Sequence, residues 1–194
     1  SAIGPNAGLE IQGRIHPARL WAVCVARSGG GKSEPFDAVE TLMRLACPDW
    51  ATACVCHGLG SGPGLVERVR DERVEQQPRR ERGIIVEYVP VTIPGAADKR
   101  CCIHEAEFGK VLTLIRGKDS TLGPTLCCAW DGRVMETNNR EANRLRATGH
   151  HISLWANITG EDLTHRLTNS LEAVNGVGKR FLWIRQEWGR YLRR

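Results

Sequence analysis

The sequence predicts an α/β domain whose mostly parallel β-sheet is flanked by helices. Residues 20–25 (LWAVCV) form a short and uninterrupted apolar segment, which is typical of a strand buried on both faces of a parallel sheet, and residues 151–158 (HISLWANI) have the pattern of a core strand. Each is followed by a segment with apolar residues at helical spacing. A chain of 194 residues is long enough for one such domain and short for two. We therefore treat residues 1–194 as a single domain.

In the first half of the chain, a strand over 20–25 leads through a glycine-rich turn into a helix over 32–46. The helix is predicted because Phe36, Val39, Leu42, Met43 and Ala46 recur at helical spacing, and Pro48 is expected to end it. A second strand is expected over 53–56 and a helix over 65–74. Residues 75–99 contain three prolines and two glycines and are predicted to be irregular, as an exposed excursion or an insertion.

The second half repeats the alternation of strands and helices. The expected elements are a strand over 100–104, helices over 108–115 and 121–130, a polar loop over 138–149, a strand over 151–158, a helix over 159–171 and a last strand over 180–184. Thr159 is the expected N-cap of the helix that it opens, with Asp162 three residues later.

Composition and charge indicate a globular protein of the cytoplasm. Hydrophobic residues make up 41% and charged residues 25% of the chain, and no apolar run is long enough to cross a membrane. The net charge of +5 allows a polyanionic partner without requiring one. Residues 179–194 carry six Lys or Arg residues against one Glu, which predicts either a solvated end or a surface that faces phosphates.

The eight cysteines are expected to be reduced, because no secretory signal precedes them and most lie in apolar surroundings. Cys54, Cys56 and His57 are close enough in sequence to suggest zinc, with Cys47 nearby. Structural zinc sites usually need a second paired knuckle, and the sequence has none. The alternatives are therefore core cysteines, which are favoured, and a zinc-stabilised fold.

The most informative segment is ARSGGGKS, residues 26–33. It fits the pattern G-x-x-x-x-G-K-[ST] with alanine in the first place, between an expected strand and an expected helix. In such a loop, backbone N–H groups surround a polyphosphate, the lysine reaches the β and γ phosphates and the hydroxyl binds Mg²⁺. The predicted binding residues are Ser28, Gly29, Gly30, Gly31, Lys32 and Ser33. The alternative is a flexible glycine turn.

Nucleotide hydrolysis also requires an acidic group near the phosphates. Glu105 and Glu107 follow the strand over 100–104, and we expect that strand to lie beside the strand over 20–25. Glu105, the stronger candidate, would hold Mg²⁺ with Ser33; the alternative for either acid is a role at a helix N-terminus. Asn157 is a candidate to sense the γ phosphate or position water. Arg180 is a candidate to stabilise charge in its own or a neighbouring subunit.

Five segments together give a resemblance to a known family: ARSGGGKS, GLGSGPGLVERVRD, HEAEFGKVL, TLGPTLCCAWDGR and HISLWANITGEDLTHRLTNSLEAVNGVGKRFLW. Over residues 15–185 the chain resembles the YfjI-like family, which is similar to RecA-like replicative helicase ATPases of phages, plasmids and other mobile elements. The resemblance implies a RecA-like P-loop fold, ATP and Mg²⁺ as ligands, single-stranded DNA as partner and a homo-oligomeric ring. It assigns the phosphate loop to 26–33, the acid to Glu105 or Glu107 and the arginine to Arg180.

The chain departs from the family at two positions and in its extent. Ala26 replaces a glycine, which the loop tolerates, and Asn157 stands where the family tends to carry histidine. The family begins before the first strand and continues beyond RFLW, so the chain is expected to be truncated at both ends.

The leading hypothesis is a nucleoside-triphosphate-hydrolysing, helicase-like motor acting on DNA in mobile-element replication. A nucleotide- or nucleic-acid-binding accessory module without turnover is the first alternative, and a zinc-stabilised nucleic-acid binder is the second. The sequence does not determine whether the chain binds DNA or RNA, or whether it uses ATP or GTP. It also leaves open the polarity of a helicase and the number of subunits in a ring.

Overall fold

A computed structural model describes residues 1–137, 144–168 and 176–187. Over these residues the strands are β1 (Gly8–Ile11), β2 (Arg14–Pro17), β3 (Trp21–Ala26), β4 (Val55–His57), β5 (Arg73–Glu81), β6 (Ile84–Ile93), β7 (Arg100–Glu105), β8 (Met135–Glu136), β9 (Arg146–Ala147), β10 (His151–Thr159) and β11 (Leu182–Arg185). The helices are α1 (Glu34–Ala46), α2 (Pro48–Cys54), α3 (Gly62–Arg68), α4 (Phe108–Arg116), α5 (Leu122–Asp131) and α6 (Gly160–Thr168).

Five strands form one parallel sheet in the order β11-β3-β10-β7-β4, with helices packed against it. The predicted α/β class with a parallel, helix-flanked sheet is therefore confirmed. The two segments that suggested it, 20–25 and 151–158, form β3 and β10. Both are buried because strands on either side cover their edges and side chains cover their faces.

The neighbour of β3 is not the one that we predicted from the sequence. We expected β7 to lie beside β3, but β10 lies between them and pairs with both. Strand β10 is buried over almost its whole length, as suits a strand between two parallel neighbours. Leu154 of β10 is opposite Trp21 of β3 and Ile103 of β7.

Two sets of side chains pack on opposite faces of the sheet. The larger core lies between β3, β7 and β10 and the helices α3, α4 and α5; its fully buried large side chains include Trp21, Phe108, Leu112 and Leu126. A smaller cluster of Trp50, Ala51 and Cys54 from α2 packs on the other face. Trp21 is fixed further because its indole N–H donates to the Ile152 carbonyl at 2.8 Å.

Several boundaries differ from the sequence-based expectations. Pro48 follows α1 and is also the first residue of α2. At that position its missing N–H costs no hydrogen bond. Helix α2 therefore includes Ala53 and Cys54, which we expected in a strand. Helix α3 ends at Arg68, and residues from Arg73 onward are extended.

Residues 73–93 form an antiparallel hairpin of β5 and β6, where we expected irregular structure. A two-residue turn, Arg82 and Gly83, joins the strands with positive φ at both positions, as in type I′ hairpins. The ladder has an irregularity between Arg79 and Arg80, and most of its side chains are exposed. Cross-strand pairing explains why this proline-containing segment is ordered as strands.

Strand β9 lies within the expected loop over 138–149 and pairs with β8, and the other expected elements agree closely with the observed ones. Thr159 caps α6 as predicted, with its hydroxyl accepting the Asp162 N–H at 3.2 Å. Residues 138–143 of the expected loop and 169–171 of the expected helix lie outside the described residues. Within the described parts of the chain, no helix is both long and apolar enough to cross a membrane.

Three buried histidines should make the stability of the fold depend on pH. Burial lowers the pKa of His150 and His104, and it lowers the pKa of His151 to about 4. In the unfolded chain each imidazole has a pKa of about 6.5. Between these values the unfolded chain binds protons that the folded chain does not, so stability is greatest above pH 6.5 and falls as the pH falls toward 4.

We expect the urea midpoint of unfolding to fall between pH 7.5 and pH 5, and His151→Asn to reduce that slope. Each unit of pKa difference corresponds to about 1.4 kcal/mol of unfolding free energy. His16, which is exposed on β2, provides the control, because His16→Asn should keep the slope of the wild-type protein. An unchanged slope in His151→Asn would contradict the prediction.

Candidate functional site

The loop between β3 and α1 has the conformation that its glycines permit. Gly29 and Gly31 have φ of +71° and +66°, in the left-handed region that disfavours other residues. Within the loop, the Gly30 N–H donates to the Arg27 carbonyl at 3.1 Å and the Glu34 N–H donates to the Gly31 carbonyl at 3.3 Å. The predicted unit of strand, glycine turn and helix over 20–46 is therefore present, and what the loop binds stays a prediction.

The first turn of α1 begins directly after this loop. Ser33 is its N-cap residue, yet its exposed hydroxyl makes no capping hydrogen bond. Pro35 occupies the first turn, and Phe36 is the buried residue that anchors the helix to the sheet. The positive end of the helix dipole is thereby directed toward the loop, which favours an anion there.

The parallel sheet brings three features to one edge: the carboxyl end of β3, Asn157 of β10 and Glu105 of β7. Register pairs Asn157 of β10 with Cys24 of β3, and Glu105 of β7 with Ala156 of β10. Since parallel strands share their direction, the carboxyl ends of β3, β7 and β10 lie together. This is the edge where ligands bind in open α/β sheets.

A cavity of about 590 Å³ opens at this edge. Three of the predicted residues line it: Lys32, Glu107 and Asn157. Lys110 of α4 also lines it, as do Asp162 and Arg166 of α6, which pair with each other at 2.6 Å. The charges of Asp162 and Arg166 cancel. The two lysines then outnumber the one glutamate, so the cavity carries a net positive charge. The arrangement suits an anionic ligand.

Lys32 itself is half-buried and weakly held. Its Nζ lies 3.5 Å from the Arg27 carbonyl, the outer limit of a hydrogen bond. Ser28 lies on the other side of the loop and lines a second cavity of about 1100 Å³ with Arg27 and residues of α6. Lys32 and Ser28 are therefore close in the chain but line different cavities.

Glu105 is buried and already engaged by the backbone. One carboxylate oxygen accepts the Leu59 N–H at 2.8 Å and the other accepts the Glu107 N–H at 2.9 Å. The carboxylate therefore ties the end of β7 to the loop that follows β4. Glu107, the weaker candidate from sequence, is the acid that lines the cavity with Lys32.

Asn157 belongs to a chain of contacts that starts in α1. The Phe36 ring stacks on the His104 ring with centroids 4.0 Å apart, and His104 Nε2 lies 3.3 Å from Asn157 Nδ2. Burial, and then the neighbouring His57, lower the pKa of His104, so the ring is neutral near pH 7 and can accept from the amide. Asn157 Oδ1 is buried and has no protein partner among the described residues.

Arg180 lies far from this group within one chain. It precedes the amino end of β11, at the opposite edge of the sheet from the loop. Its guanidinium pairs with Asp131 at the end of α5, with Nη2 and Oδ1 3.0 Å apart. Within one chain, the structure does not bring Arg180 to the other predicted residues.

The three residues considered for zinc do not converge. Cys54 is buried in α2 in the smaller cluster, Cys56 contacts the larger core, and His57 is exposed near Glu40. Cys54 ends α2 whereas Cys56 and His57 belong to β4, so closeness in sequence is not closeness of ligand atoms. Among residues 1–137, 144–168 and 176–187, no group of three or more His, Cys, Asp or Glu side chains could hold a metal ion.

Sequence reasoning missed two residues that belong to the site. Gln186 follows β11 and its Nε2 donates to the Gly30 carbonyl at 3.1 Å, which supports the loop from the side. Lys110 lines the cavity one turn into α4. The only signal for Gln186 was its place after an expected strand, and Lys110 resembled an ordinary exposed helix residue.

No protein-family model matches the chain, and no curated protein matches it. The function must therefore be inferred from the residues and their geometry.

The contacts of Glu105 predict that its removal destabilises the fold. Glu105→Ala would leave the Leu59 and Glu107 N–H groups without their acceptor, which should lower the free energy of unfolding by about 1–3 kcal/mol. Urea unfolding measures this change. Glu107→Ala is the control. Glu107 is exposed, so its substitution should change the free energy of unfolding by less than about 0.5 kcal/mol. Equal effects of the two variants would contradict the structural role of Glu105.

Proposed function

We propose that the chain is a RecA-like domain that binds and hydrolyses a nucleoside triphosphate. The observation that carries this proposal is the position of the GGGKS loop. It joins a central parallel strand to a helix N-terminus, beside a cavity that Lys32 shares with Glu107 and Asn157. The five-stranded parallel sheet is compatible with a RecA-like fold and supports the proposal without being specific to it.

In the proposed complex, N–H groups of residues 28–31 and the helix dipole hold the triphosphate. Lys32 neutralises charge on the β and γ phosphates. The Gly30 N–H already donates to the Arg27 carbonyl, so binding would use the other N–H groups or rearrange this one. The net positive charge of the cavity favours the same ligand.

Ser33 and Glu105 carry the oxygen donor groups that Mg²⁺ prefers. The Ser33 hydroxyl is exposed and makes no capping bond, and each Glu105 oxygen accepts one N–H and has a further lone pair. Magnesium in nucleotide sites usually takes one or two protein ligands together with phosphates and water. When bound, the ion would offset phosphate charge.

Asn157 and Glu107 are the residues proposed to act on water. The buried Asn157 Oδ1 lacks a protein partner, so it is free to accept a hydrogen bond from a water molecule. Glu107 lines the same cavity and supplies a carboxylate that can polarise such a water. Together they would orient a nucleophile toward the phosphate held by Lys32.

The loop lysine gives the most direct test. We expect Lys32→Ala to weaken ATP binding by about 10- to 100-fold, the loss of one charge-assisted hydrogen bond to phosphate. Fluorescent ATP-analogue titration measures this in the presence of Mg²⁺. Lys118→Ala is the matched control, because Lys118 is exposed beyond the end of α4. Equal binding by both variants would contradict the proposed loop function.

Arg180 enters the proposal through a neighbouring copy of the chain. Within one chain it lies at the opposite edge from the loop, so a role in charge stabilisation requires a homo-oligomer such as the ring that the family resemblance implies. An arginine supplied from a neighbour contributes about 10³-fold or more to phosphoryl transfer. Its side chain is only partly exposed in the pair with Asp131, so this pair would have to open.

We expect Arg180→Ala to keep ATP affinity and to lose hydrolysis by about 10³-fold. Asp131→Ala breaks the same ion pair and should retain hydrolysis, which separates catalysis from folding. Mixing Lys32→Ala with Arg180→Ala should restore part of the activity, because mixed oligomers contain intact sites. Phosphate release is measured for the two variants and for the mixture. Loss of hydrolysis in Asp131→Ala would indicate that the pair of Arg180 and Asp131 has a structural role.

An accessory module without turnover is the second candidate, and one observation favours it. Both oxygens of Glu105, the stronger predicted acid, already bind backbone N–H groups. Such a module would still bind nucleotide or nucleic acid. Action on DNA in mobile-element replication rests on the resemblance and on the net charge of +5.

Single-stranded DNA distinguishes the two candidates. If the chain is a motor, DNA should stimulate ATP hydrolysis, and the stimulation should weaken as salt rises because phosphate contacts release counterions. Hydrolysis is measured with DNA and with RNA of the same length, from 50 to 200 mM salt. Nucleotide binding without hydrolysis at every protein concentration would favour the accessory module.

A further inference from the structure

Two cysteines on neighbouring strands bring their sulfur atoms close together. Cys56 of β4 and Cys101 of β7 have their Sγ atoms 3.3 Å apart. Cys101 is fully buried in the larger core, whereas Cys56 is only half-buried. One member of the pair is therefore accessible and the other is protected.

A cavity of about 240 Å³ reaches Cys56. Four small residues line it with Cys56, and so do larger apolar side chains; the small ones are Gly58, Gly60, Ser61 and Gly64, and the apolar ones are Leu59, Leu65 and Ile103. The cavity therefore gives a small molecule a path to the sulfur.

Arg68 also lines this cavity. Its guanidinium is held by a hydrogen bond of 2.9 Å to the Ala53 carbonyl. A fixed positive charge beside a thiol favours its thiolate form, which is the nucleophile in cysteine chemistry.

The hydrogen bond between the sulfurs makes the two thiols unequal. The two sulfurs are within hydrogen-bond distance, and either thiol can donate. Donation from the Cys101 S–H to the Cys56 sulfur lowers the pKa of the Cys56 thiol to about 7. The same contact and deep burial raise the pKa of Cys101. Near neutral pH, Cys56 thus supplies a substantial thiolate fraction while Cys101 keeps its proton.

We propose that Cys56 and Cys101 form a redox modification site, in which a hydroperoxide oxidises Cys56 and Cys101 then closes a disulfide. The Cys56 thiolate attacks one peroxide oxygen, the O–O bond breaks, and the products are a sulfenic acid and hydroxide or alkoxide. The Cys101 sulfur then attacks the Cys56 sulfur. The S–O bond breaks, and the departing hydroxide takes the Cys101 proton and leaves as water. Two thiols are oxidised by two electrons, and the peroxide is reduced.

Closing the bond requires only a short movement. A disulfide has sulfurs about 2.05 Å apart, so the atoms approach by little more than 1 Å from their present separation. Strand β4 has three residues and, among the described residues, pairs with β7 on one side alone, so it can adjust. Cys102 is next to Cys101 in sequence, but it packs with the smaller cluster on the other face of the sheet.

The experiment treats the reduced full-length chain with hydrogen peroxide, alkylates the remaining thiols and analyses tryptic peptides by mass spectrometry. We expect peptide 45–68 linked to peptide 101–110, with a mass two hydrogens below the sum. Both peptides contain other cysteines, so variants assign the bond. Cys56→Ser should abolish the link, and Cys102→Ala should retain it.

Cys101→Ala tests the order of the two steps and replaces a buried thiol by a small apolar side chain. It should lose the link and accumulate a Cys56 sulfenic acid, which dimedone traps and the mass of peptide 45–68 reports. Circular dichroism checks that each variant is folded, and alkylation mapping of the wild-type protein gives the same assignment without substitution. A link that persists in Cys56→Ser, oxidation confined to the exposed Cys47, or no link at all would overturn the proposal.

Discussion

The arrangement of this protein depends on the two ladders of β10. This strand pairs with β3 on one side and β7 on the other, both in parallel, and its side chains are buried over almost its whole length. Parallel pairing sets the direction of all three strands, so the segments that follow them start at the same edge of the sheet. The hydrogen bond from the Trp21 indole to the Ile152 carbonyl adds a side-chain tie between β3 and β10 inside the core.

That constraint explains which residues meet and which do not. Lys32, Glu107 and Asn157 border one cavity because each follows, or lies near, the carboxyl end of a strand. Arg180 precedes its strand and is therefore at the opposite edge, paired with Asp131. If the chain hydrolyses a nucleotide with the help of Arg180, the complete site needs two copies of the chain.

The same edge is held by contacts that serve the fold and the site together. Glu105 binds two backbone N–H groups that position the segments after β4 and β7. Gln186 supports the glycine loop through the Gly30 carbonyl, and the stack of Phe36 on His104 connects α1 to Asn157. The sulfurs of Cys56 and Cys101 join the same two strands, β4 and β7, on which Glu105 acts. A change at Glu105 or at the cysteine pair would therefore alter the contacts between β4 and β7.

Local sequence patterns determined the class of the fold, the strands β3 and β10 and the glycine loop between a strand and a helix. Apolar runs and helical spacing are properties of neighbouring residues, so they can be recognised without the fold. Strand order could not be predicted this way, because pairing joins residues more than a hundred positions apart, such as Trp21 and Leu154, and three of the buried strands carry a ladder on each side. For the same reason, only the tertiary structure decided that Glu105 binds backbone N–H groups, that Glu107 lines the cavity and that Arg180 lies at the far edge. The hairpin of β5 and β6 likewise depends on cross-strand pairing, which outweighed the prolines that suggested irregular structure.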